Sequence, residues 1–250
     1  MKKTVMLLAF AFLAVFSAGS QASVEDFFAE AFSNIPISVK GIGYTDIDPG
    51  GTDVFYSEFP VIHGWSRNGY ILYSFYSLPH TDRTLIVKSL ITDKTALENS
   101  FFEYEGTDIP GIAARFAIEP DAGEIGEFPF TFNGSSYGIS AAISENADPE
   151  SEFALFDISA EQNGRQKKIG TVTCRRYLPT YRGLIAEDGS YMGGGEGGVD
   201  VILQNMRFKY VKSPFENRIA VVVFIPGTHM SWDFPLYGFQ IFGCDLDTGF

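Results

Sequence analysis

Ser136, His229 and Asp200 are the residue types of a nucleophile, a general base and an orienting carboxylate. Ser136 sits in Gly134-Ser135-Ser136-Tyr137-Gly138, a G-x-S-x-G spacing whose glycines permit the sharp turn that exposes a reactive hydroxyl. A serine hydroxyl becomes a nucleophile near neutral pH only when an adjacent imidazole takes its proton, and a carboxylate behind the imidazole fixes its tautomer. Other groups suggest other chemistry. Asp46, Asp48 and Asp53 place carboxylates at the short spacing that turns several oxygens toward one hard cation such as calcium. The fifth position of that loop is Gly50 and the twelfth is Ser57, so a solvated turn is the favoured reading. Asp245-Leu246-Asp247-Thr248-Gly249 carries the same partial pattern. Cys174 and Cys244 are the only cysteines, and neither has a second Cys or a His at zinc-ligand spacing.

Two further segments extend the serine pattern. Val61-Ile62-His63-Gly64-Trp65-Ser66-Arg67-Asn68-Gly69 looks like the oxyanion-hole segment of the α/β-hydrolase family, and Ile225-Pro226-Gly227-Thr228-His229 looks like its late catalytic histidine. The order Ser136, Asp200, His229 is also that family's. The resemblance implies a serine hydrolase in which His229 takes the proton from Ser136 and Asp200 orients His229, on a fold of alternating strands and helices. The residues around Ser136 read differently. Phe130 and Phe132 precede Asn133-Gly134, and Tyr137, Ile139 and Ala141 follow it, which is the period-two spacing of a β-hairpin. On that reading Ser136 is a turn residue with its hydroxyl in water.

Charge is distributed unevenly along the chain. From Glu98 to Glu161 there are fourteen Asp and Glu against one Arg, whereas Arg165 to Arg218 holds ten basic residues and five acidic ones. Three readings fit the basic stretch: solvated strand faces and hairpin tips, a local anion-binding face, or a meeting of basic with acidic segments. Its densest part is Arg175-Arg176-Tyr177 with Tyr181-Arg182. These residues, with Trp65 and Trp232, are the candidate ligand-binding set, because exposed Tyr, Trp and Arg suit recognition of a protein or a glycan. The glycine-rich Asp188 to Gly198 lacks the Gly-Lys-Ser/Thr ending of a phosphate loop and reads as a connecting loop, and no cofactor fingerprint occurs. The formal net charge of −13 gives the chain no reason to seek nucleic acid.

The N-terminus reads as a secretory leader over residues 1–22. Lys2 and Lys3 form a positive region, Val5 to Phe16 an apolar one, and Ser20-Gln21-Ala22 a small-residue cleavage site. The remainder, residues 23–250, is expected in the periplasm or outside the cell, with no stable membrane insertion after cleavage. In that oxidising setting Cys174 and Cys244 are expected to form a disulfide.

Ser23 to Phe32 has capping spacing and one apolar face, which predicts a short helix. Val39 to Tyr44, Val54 to Phe59, Tyr70 to Tyr76 and Thr84 to Leu90 read as strands. Asp93 to Phe102 places Ala96, Leu97 and Phe101 on one helical face. Phe128–Phe132 with Tyr137–Ile143, and Phe153–Glu161 with Lys168–Tyr177, flank Asn133-Gly134 and Asn163-Gly164 as two hairpins. Ile219-Ala220-Val221-Val222-Val223-Phe224-Ile225 is a non-alternating β-branched run, so it is expected as a strand buried on both faces at the middle of the core and ended by Pro226-Gly227. The sum is an all-β chain, an antiparallel β-sandwich-like domain with a short N-terminal helix and a weak candidate break near residues 119–127. The terminal Phe250, with Leu246 and Phe242, raises an outer-membrane β-barrel, but Thr248 and Cys244 interrupt the alternation. The function expected is a non-catalytic binding or accessory role toward an exported protein or a glycan. The serine hydrolase and the barrel stand as alternatives.

Overall fold

Every residue from Ile219 to Ile225 is buried, and the architecture is arranged to bury both faces of that run. The computed structural model describes residues 38–39, 60–77, 82–102, 108–121, 123–176, 199–231 and 234–250, all within one compact unit. The expected leader, the helix from Ser23 to Phe32, most of the Val39–Tyr44 strand and the Val54–Phe59 strand lie outside the described residues.

The strands are β1 (Ser38–Val39), β2 (Val61–Ser66), β3 (Tyr70–Ser77), β4 (Asp82–Ser89) and β5 (Thr95–Phe102), then β6 (Ile118–Glu119), β7 (Glu124–Glu127), β8 (Phe130–Phe132), β9 (Ser135–Ile143), β10 (Phe153–Gln162) and β11 (Arg165–Arg175), and finally β12 (Arg207–Lys212), β13 (Arg218–Ser231) and β14 (Phe234–Asp245). Helix α1 (Ile109–Arg115) precedes β6, and α2 (Val199–Asn205) precedes β12. They form three sheets ordered β1-β2-β3-β4-β5 with β6 beside β2, β11-β10-β9-β8, and β14-β13-β12-β7. All pairings are antiparallel except β1 with β2.

The fold is all-β, as expected, with a third sheet added to the anticipated sandwich. Alternate side chains of β13 go to opposite faces. Ile219, Val221, Val223 and Ile225 join Phe156, Ile158 and Val172 of the β8–β11 sheet in one core. Ala220, Val222 and Phe224 point the other way and are equally buried. On that side Phe239 of β14, paired with Phe224, meets Tyr73 and Phe75 of β3 edge-on at 6.1 and 5.4 Å. The β7–β12–β13–β14 sheet is therefore the middle layer, which is why its central strand carries no polar alternation.

Both Asn-Gly hairpins are present. Asn133 and Gly134 have φ of 48° and 77°, and Asn163 and Gly164 have 48° and 82°, the left-handed pair that a two-residue hairpin turn needs. Two expectations are corrected. Asp93 to Phe102 is not a helix: Asp93 makes the turn with φ 55°, and Thr95–Phe102 is paired along β4, with Leu97 half-buried against the β3–β4 core. Pro226-Gly227 does not end β13, which continues to Ser231. Pro226, Gly227 and Thr228 instead form a bulge opposite Tyr237, with pairing resumed at His229 and Leu236. The segment from Glu119 to Glu127 enters two sheets, Glu119 beside Trp65 and β7 beside β12.

Candidate functional site

Ser136 lies one residue into β9, exposed, opposite Thr131 of β8. Its N–H donates to Asn163 Oδ1 at 3.2 Å and its C=O accepts from the Asn163 N–H at 3.3 Å, so the two hairpin tips are tied together. The strand-to-helix elbow implied by the hydrolase resemblance is absent here; a strand precedes the serine and the same hairpin continues after it. Asp200 is exposed in the first turn of α2. His229 is on β13 just past the bulge, and its side chain lies outside the described residues. Of the expected oxyanion segment Val61 to Gly69, Val61–Ser66 is the fully buried strand β2, and Arg67 and Asn68 are exposed in the turn that follows.

The alternating sheet-and-helix fold of the resemblance is replaced by antiparallel sheets. The expected result with a fluorophosphonate probe is no labelling of the native chain at Ser136. Ser136→Ala should change stability by no more than about 0.5 kcal/mol, as for a surface position. Stoichiometric labelling abolished by Ser136→Ala and by His229→Ala would restore the hydrolase.

Of the ligand-binding set, Trp65, Arg175 and Arg176 are among the described residues. Trp65 is completely buried, packed into β2 between β3 and β6, so its place in that set is corrected: it is a core residue. Arg175 is exposed at the end of β11. Arg176 is engaged by the preceding loop, with Nε donating to the Ser151 carbonyl at 2.8 Å and Nη2 to the Asp148 carbonyl at 2.6 Å. Tyr177, Tyr181, Arg182 and Trp232 lie outside the described residues, as do the calcium candidates Asp46, Asp48 and Asp53. Among the described residues no three His, Cys, Asp or Glu side chains are grouped to hold a metal. The C-terminal carboxylates serve structure. Asp245 accepts from Arg218 Nη2 at 3.1 Å and from the Asp247 N–H at 2.8 Å, and Asp247 accepts from Asn217.

Cys174 and Cys244 are not joined, which corrects the expected disulfide. They belong to β11 and β14, strands of different sheets, and both are buried free thiols in the shared core. Burial pushes each thiol up to about 11, so neither is a thiolate at neutral pH.

The basic stretch meets the acidic one within the chain. Lys168 pairs with Asp157 at 2.7 Å and Lys209 with Glu127 at 3.3 Å. Lys167 donates to the carbonyls of Asp245 and Thr248 and lies 4.2 Å over the Phe250 ring. A cleft of about 260 Å³ is lined by Asp121, Gly123, Glu124, Lys212, Ser213 and Pro214, and the Lys212 ammonium lies 3.9 Å over the Phe132 ring.

Sequence reasoning missed two polar groupings. His63 Nε2 and Ser74 Oγ are 2.7 Å apart in the buried first sheet. At the junction of β4 with β14, Lys88 lies 3.6 Å from Asp93, and Asp93 Oδ1 accepts from the Gly243 N–H at 2.7 Å. Arg218 reaches the Leu90 carbonyl at 3.2 Å and pairs with Glu216 and Asp245. No periodicity or motif links Lys88 and Asp93 to β14; only the layer packing brings them together.

Burial pushes the Asp93 carboxyl above its usual range, opposed by the Gly243 amide and by the Lys88 and Arg218 cations. Burial also pushes the Lys88 ammonium below its usual range, opposed by Asp93. The folded chain therefore holds the Asp93 proton more tightly than the unfolded chain. Asp93's contribution to stability is complete below the carboxyl's unfolded value and is lost as pH rises through the folded one. The expected result is a stability difference between wild type and Asp93→Asn that shifts in favour of wild type as pH falls from about 7 to about 4. A shift in the opposite direction would mean an ordinary ion pair with a depressed carboxyl.

The chain matches no protein-family model, no curated protein and no solved structure.

Proposed function

We propose that the chain is an exported, non-catalytic binding or accessory protein of the cell envelope, acting in the periplasm or outside the cell, and that its partner is another exported protein. The observation that carries this reading is β5. Among the described residues it is the outermost strand of the first sheet, and Thr95, Ala96, Glu98, Asn99 and Ser100 are all exposed, so both of its faces meet solvent. It carries one charge, Glu98, one bulge at Ala96 and no proline, so it is blunted only lightly. An edge of this kind suits an extended segment of another protein added as a further strand, with main-chain hydrogen bonds supplying affinity. The glycan reading rested on exposed Tyr and Trp with Arg; of those aromatics Trp65 is in the core, and Tyr177, Tyr181 and Trp232 lie outside the described residues. Export rests on the leader over residues 1–22.

The test is photocrosslinking in cells with a benzophenone side chain placed at Ala96 or Ser100, with Thr173 on β11 as control. The expected result is a discrete protein adduct from the β5 positions and none from Thr173, on a chain whose mass shows cleavage after Ala22. Adducts from Thr173 alone, or a product that keeps Met1 and fractionates with membranes, would sink the reading.

A further inference from the structure

Two of the edge strands, β5 and β14, are treated differently. An edge strand presents an unpaired N–H and C=O at every second residue. In β14 those residues are Ile241, Gly243 and Asp245, and each has been given a side-chain partner. The Ile241 carbonyl accepts from Lys88 Nζ, the Gly243 N–H donates to Asp93 Oδ1 at 2.7 Å, and the Asp245 carbonyl accepts from Lys167 Nζ. Donor, acceptor and donor follow one another along the edge as the backbone of an added strand would place them. The turn that supplies Lys88 and Asp93 is itself fixed, with the Leu90 carbonyl held by Arg218 Nη1 and seated where a Cβ on Gly243 would collide with it. Among the described residues no side chain covers the β5 backbone in this way.

We propose that the Ser89–Lys94 turn, with Lys88 before it and Lys167 opposite, is a guard that keeps β14 from pairing with β14 of a second copy of this chain. A second copy fits the edge that the guard occupies. Antiparallel pairing about a two-fold axis at Gly243 sets Ile241 opposite Asp245 and glycine opposite glycine. No like charges meet directly, and the two middle sheets become one continuous sheet. A natural sheet edge with apolar neighbours is a template for such pairing unless something blunts it. Here the stretch from Ile241 to Asp245 is blunted by three side chains from outside β14, in addition to Pro235 and Asp245 on the strand itself.

The test uses the full exported chain with Lys88→Met and Asp93→Gly together. This pair removes both charges at once, leaving neither buried alone, and glycine suits the positive φ of position 93. Sedimentation velocity is expected to show a dimer with self-association at least tenfold tighter than wild type. Amide exchange at Gly243 in the dilute variant should accelerate while Val222 stays protected. In the concentrated dimer the Gly243 amide is expected to be protected again, because its outward N–H is then bonded to the second copy. A second variant, Asp93→Gly alone, perturbs no core side chain and should show the same accelerated exchange with a smaller gain in association. A chain that stays monomeric in both variants overturns the proposal. So does a dimer whose Gly243 amide stays unprotected, since it would be built through β5 or another surface.

Discussion

Trp65→Ala is expected to cost about 3–5 kcal/mol of folding stability, the range for truncating a buried Trp or Phe. The side chain is fully buried, and its strand is covered by β3 on one side and β6 on the other. A loss of that size is a large share of the roughly 5–15 kcal/mol that holds a domain together. Chemical denaturation should show a lower midpoint with an unchanged slope. A midpoint shift corresponding to less than about 0.5 kcal/mol would return Trp65 to the surface, where such changes are small, and with it to the ligand-binding residues. Because Gly123 approaches the indole closely, the variant should also loosen the segment that lines the nearby cleft.

Val222→Asp is expected to prevent folding altogether. Val222 is at the centre of β13 and completely buried, on the face turned toward the first sheet. The cations nearest an introduced carboxylate are already engaged, Lys209 with Glu127 and Lys88 with the Ile241 carbonyl and Asp93. Burying the introduced carboxylate would cost more than the roughly 4–5 kcal/mol that marks an exceptional substitution. Val222→Ala should fold with a loss of a few kcal/mol at most. The contrast tests the three-layer arrangement directly. In a two-sheet sandwich this face of β13 would be solvated, and Val222→Asp would be tolerated. Soluble Val222→Asp protein with native circular dichroism would therefore remove the first sheet from that face.

What the sequence disclosed followed from local chemistry. The Asn-Gly turns were legible because two consecutive positive φ values are cheap for those residues, and the flanking alternation then set the register of β8–β9 and β10–β11. The β13 run was legible because seven successive apolar residues leave no face for water. What stayed hidden depended on distant partners. Ala96, Leu97 and Phe101 satisfy a helical period, and only pairing with β4 makes the segment a strand. Nothing in a tryptophan distinguishes a ligand contact from a core residue, and two cysteines state no distance between them. Helix α1 is a different case. Asp108 caps it by accepting from the Gly111 N–H at 2.8 Å, and Pro110 stands in its first turn. That start signal is present in the sequence, and the glycine at position 111 obscured it. Of the candidate site, the serine and the carboxylates were visible as residue types, but their separation was not. The clamp on β14 carried no sequence signal.

The strand order also bears on how the chain reaches this state. β2 to β5, β8 to β11 and β12 to β14 are each consecutive antiparallel neighbours. Each of these meanders can zip from its own turns as it leaves the ribosome, with little loop entropy to overcome. The pairing of β7 with β12 is different, because Glu124 must find Lys212 across the whole β8–β11 sheet. Until then β12 has β13 on one side and nothing on the other. The rate at which the middle layer closes is thus set by that single long-range search, and a partly made chain ending before β12 would hold two finished sheets with no centre between them.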